Sequence, residues 1–300
     1  MSDPAPRLFD PRATEAWLRR APVEAAPWLH QEVARRMAER LALVRRTPTT
    51  VIDWWASLSG SAELLRSTYP QARLVPVEAP ARLARLAQAP APAGPWWSPA
   101  RWRRPAAAQP VEEGAAVTLG AELLWANMVL HWAADPPAML QQWHRALAVD
   151  GFVMFSCLGP DTVRELRTLY SRAGWGPAGA EFVDMHDIGD MLVHAGFDDP
   201  VMDMERLRLS WDDACRCLAE LRTLGRNTHP RRAAGLRTAR WLRALEAALT
   251  PAEGPTVLTF EIVYGHAFKG LPRARAGGET TSVSLQDMRS MMRARNARRS

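Results

Sequence analysis

The stretch VIDWWASLSGSAELLRSTYPQARLVPVE, residues 51–78, decides the fold. It opens on a short apolar run, Val51–Trp55, that reads as a buried strand. Ser57–Ser61 is built from serine and glycine and reads as a turn. Ala62–Thr68 reads as a helix that Tyr69-Pro70 ends, because a proline pushes the residue before it out of helical geometry. A second strand covers about Arg73–Val77 and ends at Glu78. Strand, turn, helix and strand in so short a span make a βαβ unit, which places the two strands parallel in one sheet.

The flanks extend this alternation. Residues 1–10 read as a loose arm. Ala13–Val44 reads as helical: Leu29, Val33, Met37, Leu41 and Val44 recur every three or four residues, with Arg35, Arg36, Glu39 and Arg40 between them, up to a stop at Thr47-Pro48. Residues 88–113 are rich in Pro, Ala and Trp, with PWW at 95–97 and RWRR at 101–104, and read as a loop, or a weak helix and a loop. Beyond them come a strand at Leu123–Val129, a helix at Pro136–Leu147, a turn at Asp150-Gly151 and a strand at Phe152–Cys157. A helix at Glu181–Ala195, closed by Gly196, precedes a strand at Val201–Leu209. Residues 212–249 are helical, arginine-rich and broken at Asn227–Pro230, and Thr256–Phe268 is the last strand. The expected division is an N-terminal arm and helix (1–46), a core (47–211), a helical lid (212–255), a last core strand (256–270) and a basic tail (271–300), read as disordered. The fold class is α/β, a Rossmann-like sheet with helices on both faces and a helical lid insertion.

Composition narrows the function. The chain has 300 residues, of which 47% are apolar, enough for a sizeable core. No apolar run approaches the roughly 20 residues that span a bilayer. The N-terminal MSDPAPRLFD lacks the apolar core of a secretory signal. The cysteines Cys157, Cys215 and Cys217 form no CxxC pair, so neither a disulfide framework nor a metal site is expected, and the expected location is the cytoplasm. The net charge of +6 is not one surface. Residues 271–300 carry +5, residues 216–243 carry +7, and the remainder is −6. Lys269 is the only lysine, so part of the arginine excess reflects codon usage. No nucleic-acid module accompanies the charge, and neither nucleic acid nor membrane is expected as a partner.

Six further stretches carry a resemblance: QEVARRMAERL (31–41), WANMVLHWAADP (125–136), GFVMFSCLGPDTVRELR (151–167), FVDMHDIGDMLVHAGF (182–197), LAELRTLGRN (218–227) and EIVYGHAFK (261–269). Together they resemble a class I S-adenosylmethionine (SAM) dependent methyltransferase. Within that class the chain is similar to the malonyl-acyl-carrier-protein O-methyltransferases of biotin synthesis, in their proteobacterial form. The resemblance covers most of residues 8–270, and GPDTVRELR is its most specific part. It implies a lid between the last two strands, SAM at the first strand-turn-helix, and methyl transfer to the free carboxyl of a malonyl thioester on an acidic acyl carrier protein.

The family's pattern at the cofactor loop is D-x-G-x-G-x-G, whose glycines let the backbone pass close beneath the ligand. Asp53, Tyr69-Pro70 and Glu78 fix the register, which puts the three glycine positions on Trp55, Ser57 and Ser59; Gly60 follows one place later. The resemblance implies Asp53, Ser57, Ser59, Gly60, Glu78 and Asn127 as the cofactor site. Glu78 would accept the ribose hydroxyls, Asp53 would orient the loop, and Asn127 would stand at the methyl-transfer mouth. The plain alternatives are a solvated strand-end acid, a turn-capping carboxylate and a satisfied polar residue. Trp54, Trp55, Trp96, Trp97 and Trp102 read as filling the pocket that lost its glycines.

Other elements depart as well. The family's N-terminal Tyr-Asp pair falls at Glu24-Ala25, and the stretch after RWRR is too short and Pro-rich for the acidic loop beside the adenine. His131-Trp132 replaces a Gln-Trp pair, with Trp132 read as packing; His186, Cys215 and Cys217 read as structural. Arg222, Arg226, Arg231 and Arg232 would face the carrier protein, which a basic lid attracts at long range. No catalytic residue is assigned, since a carboxylate acceptor is already a nucleophile. Two functions follow: a methyltransferase for this or another acceptor, or a non-catalytic relative that keeps the fold and serves as a binding partner or regulator.

Overall fold

A computed structural model describes residues 9–23, 25–41, 44–88 and 109–271. Expectations for residues 1–8, Glu24, Trp96, Trp97, Trp102 and the tail beyond 271 lie outside the described residues. The first surprise is at the N-terminus. The helix expected over 13–44 is two helices, α1 (Pro11–Arg20) and α2 (Trp28–Leu41). Pro22 and Pro27 break the periodicity, since proline offers no N–H to a helical ladder. Asp10 starts α1 by accepting the N–H groups of Arg12 and Ala13.

Strand β1 (Thr50–Trp54) leads into α3 (Ala56–Ser59) and α4 (Ala62–Thr68), then β2 (Arg73–Glu78) and α5 (Pro80–Gln88). The expected Ser/Gly turn is thus one turn of helix followed by Gly60. Next come β3 (Val111–Glu112), α6 (Glu113–Ala116), β4 (Ala121–Ala126) and a 3-10 turn at Leu130–Trp132. The chain continues through α7 (Pro136–Ala146), β5 (Leu147–Leu158), α8 (Arg164–Arg172), α9 (Met185–His194) and β6 (Asp198–Trp211). Helices α10 (Ala214–Leu224) and α11 (Ala239–Leu249) then precede β7 (Thr256–Phe268). Several boundaries moved: the strand expected over Leu123–Val129 is Ala121–Ala126, the one expected over Val201–Leu209 is Asp198–Trp211, and Val111–Glu112 is a strand in the stretch read as a loop. Asp150-Gly151 lies inside β5 rather than ending an element; Asp150 is left-handed (φ 64°), and the register with β4 slips there, as in a bulge. Helix α9 starts at Met185 because the Asp184 side chain accepts the His186 N–H.

The described strands form one sheet in the order β3-β2-β1-β4-β5-β7-β6. The first five are parallel, and β7 runs antiparallel to both its neighbours. Both faces are covered. Ile52, Trp54, Leu124, Val153 and Phe155 point into one core with α1, α7 and α9. Val51, Leu123, Trp125, Phe152 and Met154 point into the other with α2, α10 and α11. That alternation is the pleat, and two apolar faces are why these strands read as continuous apolar runs. No helix among the described residues is long and apolar enough to cross a membrane.

Candidate functional site

In an open parallel sheet, ligands bind beyond the carboxyl ends of the strands, where the order reverses. Here that place lies beyond β1, between β2 and β4. Parallel pairing sets Asp53 beside Pro76 and Trp125, which brings the ends of all three strands together. Asp53, Glu78 and Asn127 therefore gather at one edge, as the sequence register implies. All three are almost wholly buried.

The backbone keeps a glycine path without the glycine. Trp55 is left-handed (φ 56°, ψ 50°), which costs a bulky residue about 1–3 kcal/mol. Its N–H donates to Val77 O at 2.7 Å, and its buried indole N–H donates to Glu113. Gly60 (φ 68°) is also left-handed, and a Cβ there would lie 2.8 Å from that of Ala26, so the segment before α2 closes down on the loop.

The serines at the other two glycine positions bond within the chain. Ser59 Oγ donates to Asp53 Oδ1 at 2.7 Å. The Ser57 N–H donates to Glu78 Oε1 at 2.6 Å, and Ser57 Oγ accepts two bonds from the Arg82 guanidinium, at 3.0 and 2.9 Å. Arg82 is fully buried and also donates to Leu18 O, Ala21 O and Pro22 O, tying the end of α1 to the loop. Asn127 Nδ2 donates to Ser59 O and His30 O, and Ser156 donates to Asn127 Oδ1. Asn127 thus clamps the loop to α2 and β5.

The acids are held in unusual states. Burial raises Asp53 to about 7, opposed by the Ser59 hydrogen bond and aided by the charge of Glu78. Burial also raises Glu78, against the bonds from Ser57 and the charge of Arg82. Asp53 Oδ2 and Glu78 Oε2 are both buried without a hydrogen-bond partner. The sequence reading missed Arg82, His30 and Glu113. Glu113 supplies a half-buried carboxylate at this edge, where the reading expected no acidic element; the Glu112-Glu113 pair was the available signal.

Trp132 packs as expected, stacked on Trp17 with ring centroids 4.1 Å apart. His186 is exposed and paired with Asp184 at 2.7 Å; Cys215 is exposed and Cys217 buried. Of the lid arginines, Arg222, Arg226 and Arg231 are exposed. Arg232 instead pairs with Asp10 at 2.7 Å and so braces the cap of α1. Among the described residues, no group of three or more His, Cys, Asp or Glu side chains is placed to hold a metal ion.

The strand order, the single antiparallel β7 and the acid-bearing loop after β1 define a Rossmann-like class I methyltransferase fold. No family model matches the chain. It is 36% identical over 265 residues to the malonyl-[acyl-carrier protein] O-methyltransferase of Laribacter hongkongensis, covering 85% of this chain and 87% of that one. It is 34% identical over 260 residues to the protein of the same name from Gallionella capsiferriformans, covering 85% and 89%. A putative methyltransferase structure from Bacillus halodurans is 12% identical, with a TM-score of 0.49 over 79% of this chain and all of that one. The chain belongs to the malonyl-[acyl-carrier protein] O-methyltransferase family.

Proposed function

We propose that the chain methylates the free carboxyl of a malonyl group carried on an acyl carrier protein. The identity shared with the family along most of both chains carries this reading. The acceptor carboxylate is itself the nucleophile, so no general base is required of the protein. Its contributions are alignment and the exclusion of water. The exposed Arg222, Arg226 and Arg231 supply a basic face for an acidic carrier protein.

The family implies SAM as the methyl donor, beyond β1 and β2. The unpaired oxygens of Asp53 and Glu78 are suitable acceptors for its hydroxyl and ammonium groups. The space is not suitable. Glu78 is 1% exposed, the Ser57 N–H already donates to it, and Trp55 and Arg82 fill the approach. In this conformation the residues do not fit SAM.

That closure favours a second reading, a non-catalytic relative that retains the fold as a binding partner or regulator. Two measurements separate them. Malonyl carrier protein incubated with the chain and saturating SAM should gain the mass of one methyl group. Calorimetric titration of SAM into wild type and Trp55→Gly then tells a closed site from a lost one. No mass gain and no SAM binding by wild type would leave the second reading standing. Binding regained in Trp55→Gly would trace the loss to the indole.

A further inference from the structure

Three arginines stand at the ends of α1 and α10, which both pack on Trp132. Arg20 is the last residue of α1, and Arg222 lies in the last turn of α10. Arg226 follows directly and donates from Nη1 to Arg222 O at 2.6 Å and to Gly225 O at 3.2 Å. Trp132, between them, touches both helix ends. Gly225 lies so close to the Trp132 ring that a Cβ there would overlap it. Trp132 stacks on Trp17, which precedes Arg20 by one turn on the same face of α1. Partial desolvation, and the like charges of Arg222 and Arg20, hold Arg226 below the usual guanidinium range.

Neighbouring arginines have carboxylate partners: Arg19 has Glu15, Arg216 has Glu220 and Arg232 has Asp10. Among the described residues, no ion pair engages Arg20, Arg222 or Arg226. A helix end accounts for Arg226, which caps α10, but not for Arg20 or Arg222. The carbonyls closing α1 are already taken by Arg82, and those closing α10 by Arg226. Three neighbouring cations with no carboxylate partner suit an anion with several oxygens better than a lone carboxylate. The cluster stands on Trp132, at the end of the 3-10 turn that follows β4 and Asn127. It is therefore at the rim of the edge that an acceptor must approach.

We propose that Arg20, Arg222 and Arg226 bind the phosphate of the pantetheine arm that carries the malonyl group. The proposal rests on the carrier-protein reading for its ligand, and the test separates the two. Free 4′-phosphopantetheine and pantetheine, which lacks the phosphate, are titrated by calorimetry into the full chain and into an Arg20→Ala/Arg222→Ala variant. Both substituted residues are exposed, and Arg226 is kept because it closes α10; circular dichroism checks the fold. Wild type should prefer the phosphorylated compound by about tenfold or more, and the double variant should lose that preference. Equal binding of the two compounds by wild type, or an unchanged preference in the variant, overturns the site. A parallel titration with malonyl carrier protein tests the partner. Phosphate preference without carrier binding would keep the site and sink the carrier reading.

Discussion

Two regions of one sheet treat glycine in opposite ways. At the β5–β7 seam the motif glycines stand where no side chain fits. A Cβ on Gly159 would overlap the Glu261 side chain, and one on Gly265 would overlap the Phe155 ring and approach the Met202 sulfur. Side chains of the same motifs complete the seam: Glu165 accepts both the N–H and the hydroxyl of Thr259, and Thr162 bonds the backbone of Glu261 in both directions. At the loop after β1, the glycine positions hold Trp55, Ser57 and Ser59, and the backbone still follows a left-handed path at the first. Glycines that admit protein packing are required whether or not a ligand is present. Glycines that admit only a ligand become replaceable once indole, hydroxyl and guanidinium groups fill the same space. Identity to the family along most of the chain therefore does not by itself report on the loop after β1.

The comparison breaks first at the seam. Gly265→Val should destabilise the chain by about 3 kcal/mol, because the Phe155 ring and Met202 cannot both move away in a packed core. Urea unfolding measures it; a loss too small to resolve would mean the seam is as tolerant as the loop. Arg82→Met tests the loop next. It removes a buried cation and leaves Ala21 O and Pro22 O without their donor, at a cost of about 2 kcal/mol. The same change frees Ser57 and clears the approach to Glu78, so SAM affinity should rise by at least about tenfold, or 1.4 kcal/mol. Lower stability with unchanged SAM affinity would show that Arg82 braces α1 without closing the site. A smaller effect is expected of Ser59→Ala, which removes the one hydrogen bond to Asp53 and should cost about 1.5 kcal/mol. An unchanged midpoint would remove the serine-for-glycine compensation from the argument.

Much of this contrast was legible in the residues. Helix Ala62–Thr68 and strand Thr256–Phe268 have the bounds their patterns imply, because Pro70 and the alternation through Val257, Thr259 and Glu261 mark them locally. The register from Asp53 to Glu78 located the loop, since parallel pairing fixes which strand ends meet. The break between α1 and α2 was legible too, in Pro22 and Pro27, but the apolar repeat of α2 outweighed it. Arg82 was not legible. In so arginine-rich a chain, nothing local marks the one guanidinium that tertiary packing drives inside. The left-handed Trp55 carries no sequence signal either; tertiary hydrogen bonds to Val77 and Glu113 hold it there against its own preference.

The finest distinction between the regions is one of protonation. Asp53 rises from 3.8 to about 7 on burial, so the folded chain keeps a proton that the unfolded chain has lost. Between those values the unfolded state binds fewer protons, and stability must fall as pH rises, by up to about 1.4 kcal/mol per pH unit. Above the folded value both states are ionised and the slope vanishes. Glu78 is raised by burial as well and adds a slope of the same sign, so Asp53→Asn should flatten the profile in part rather than abolish it. Glu165, at the seam, works in the opposite direction. Its pKa is lowered; burial would raise it, but the hydrogen bonds from Thr259 prevail, so its stabilising contribution is lost only as pH falls below the ordinary carboxylate range. Urea unfolding at closely spaced pH values separates the two: Asp53→Asn changes the slope between about pH 4 and 7, and Glu165→Gln changes it only on the acid side. Parallel profiles for wild type and Asp53→Asn would mean that Asp53 is ionised in the folded chain. Its free oxygen must then be solvated, and the loop after β1 would be open to water.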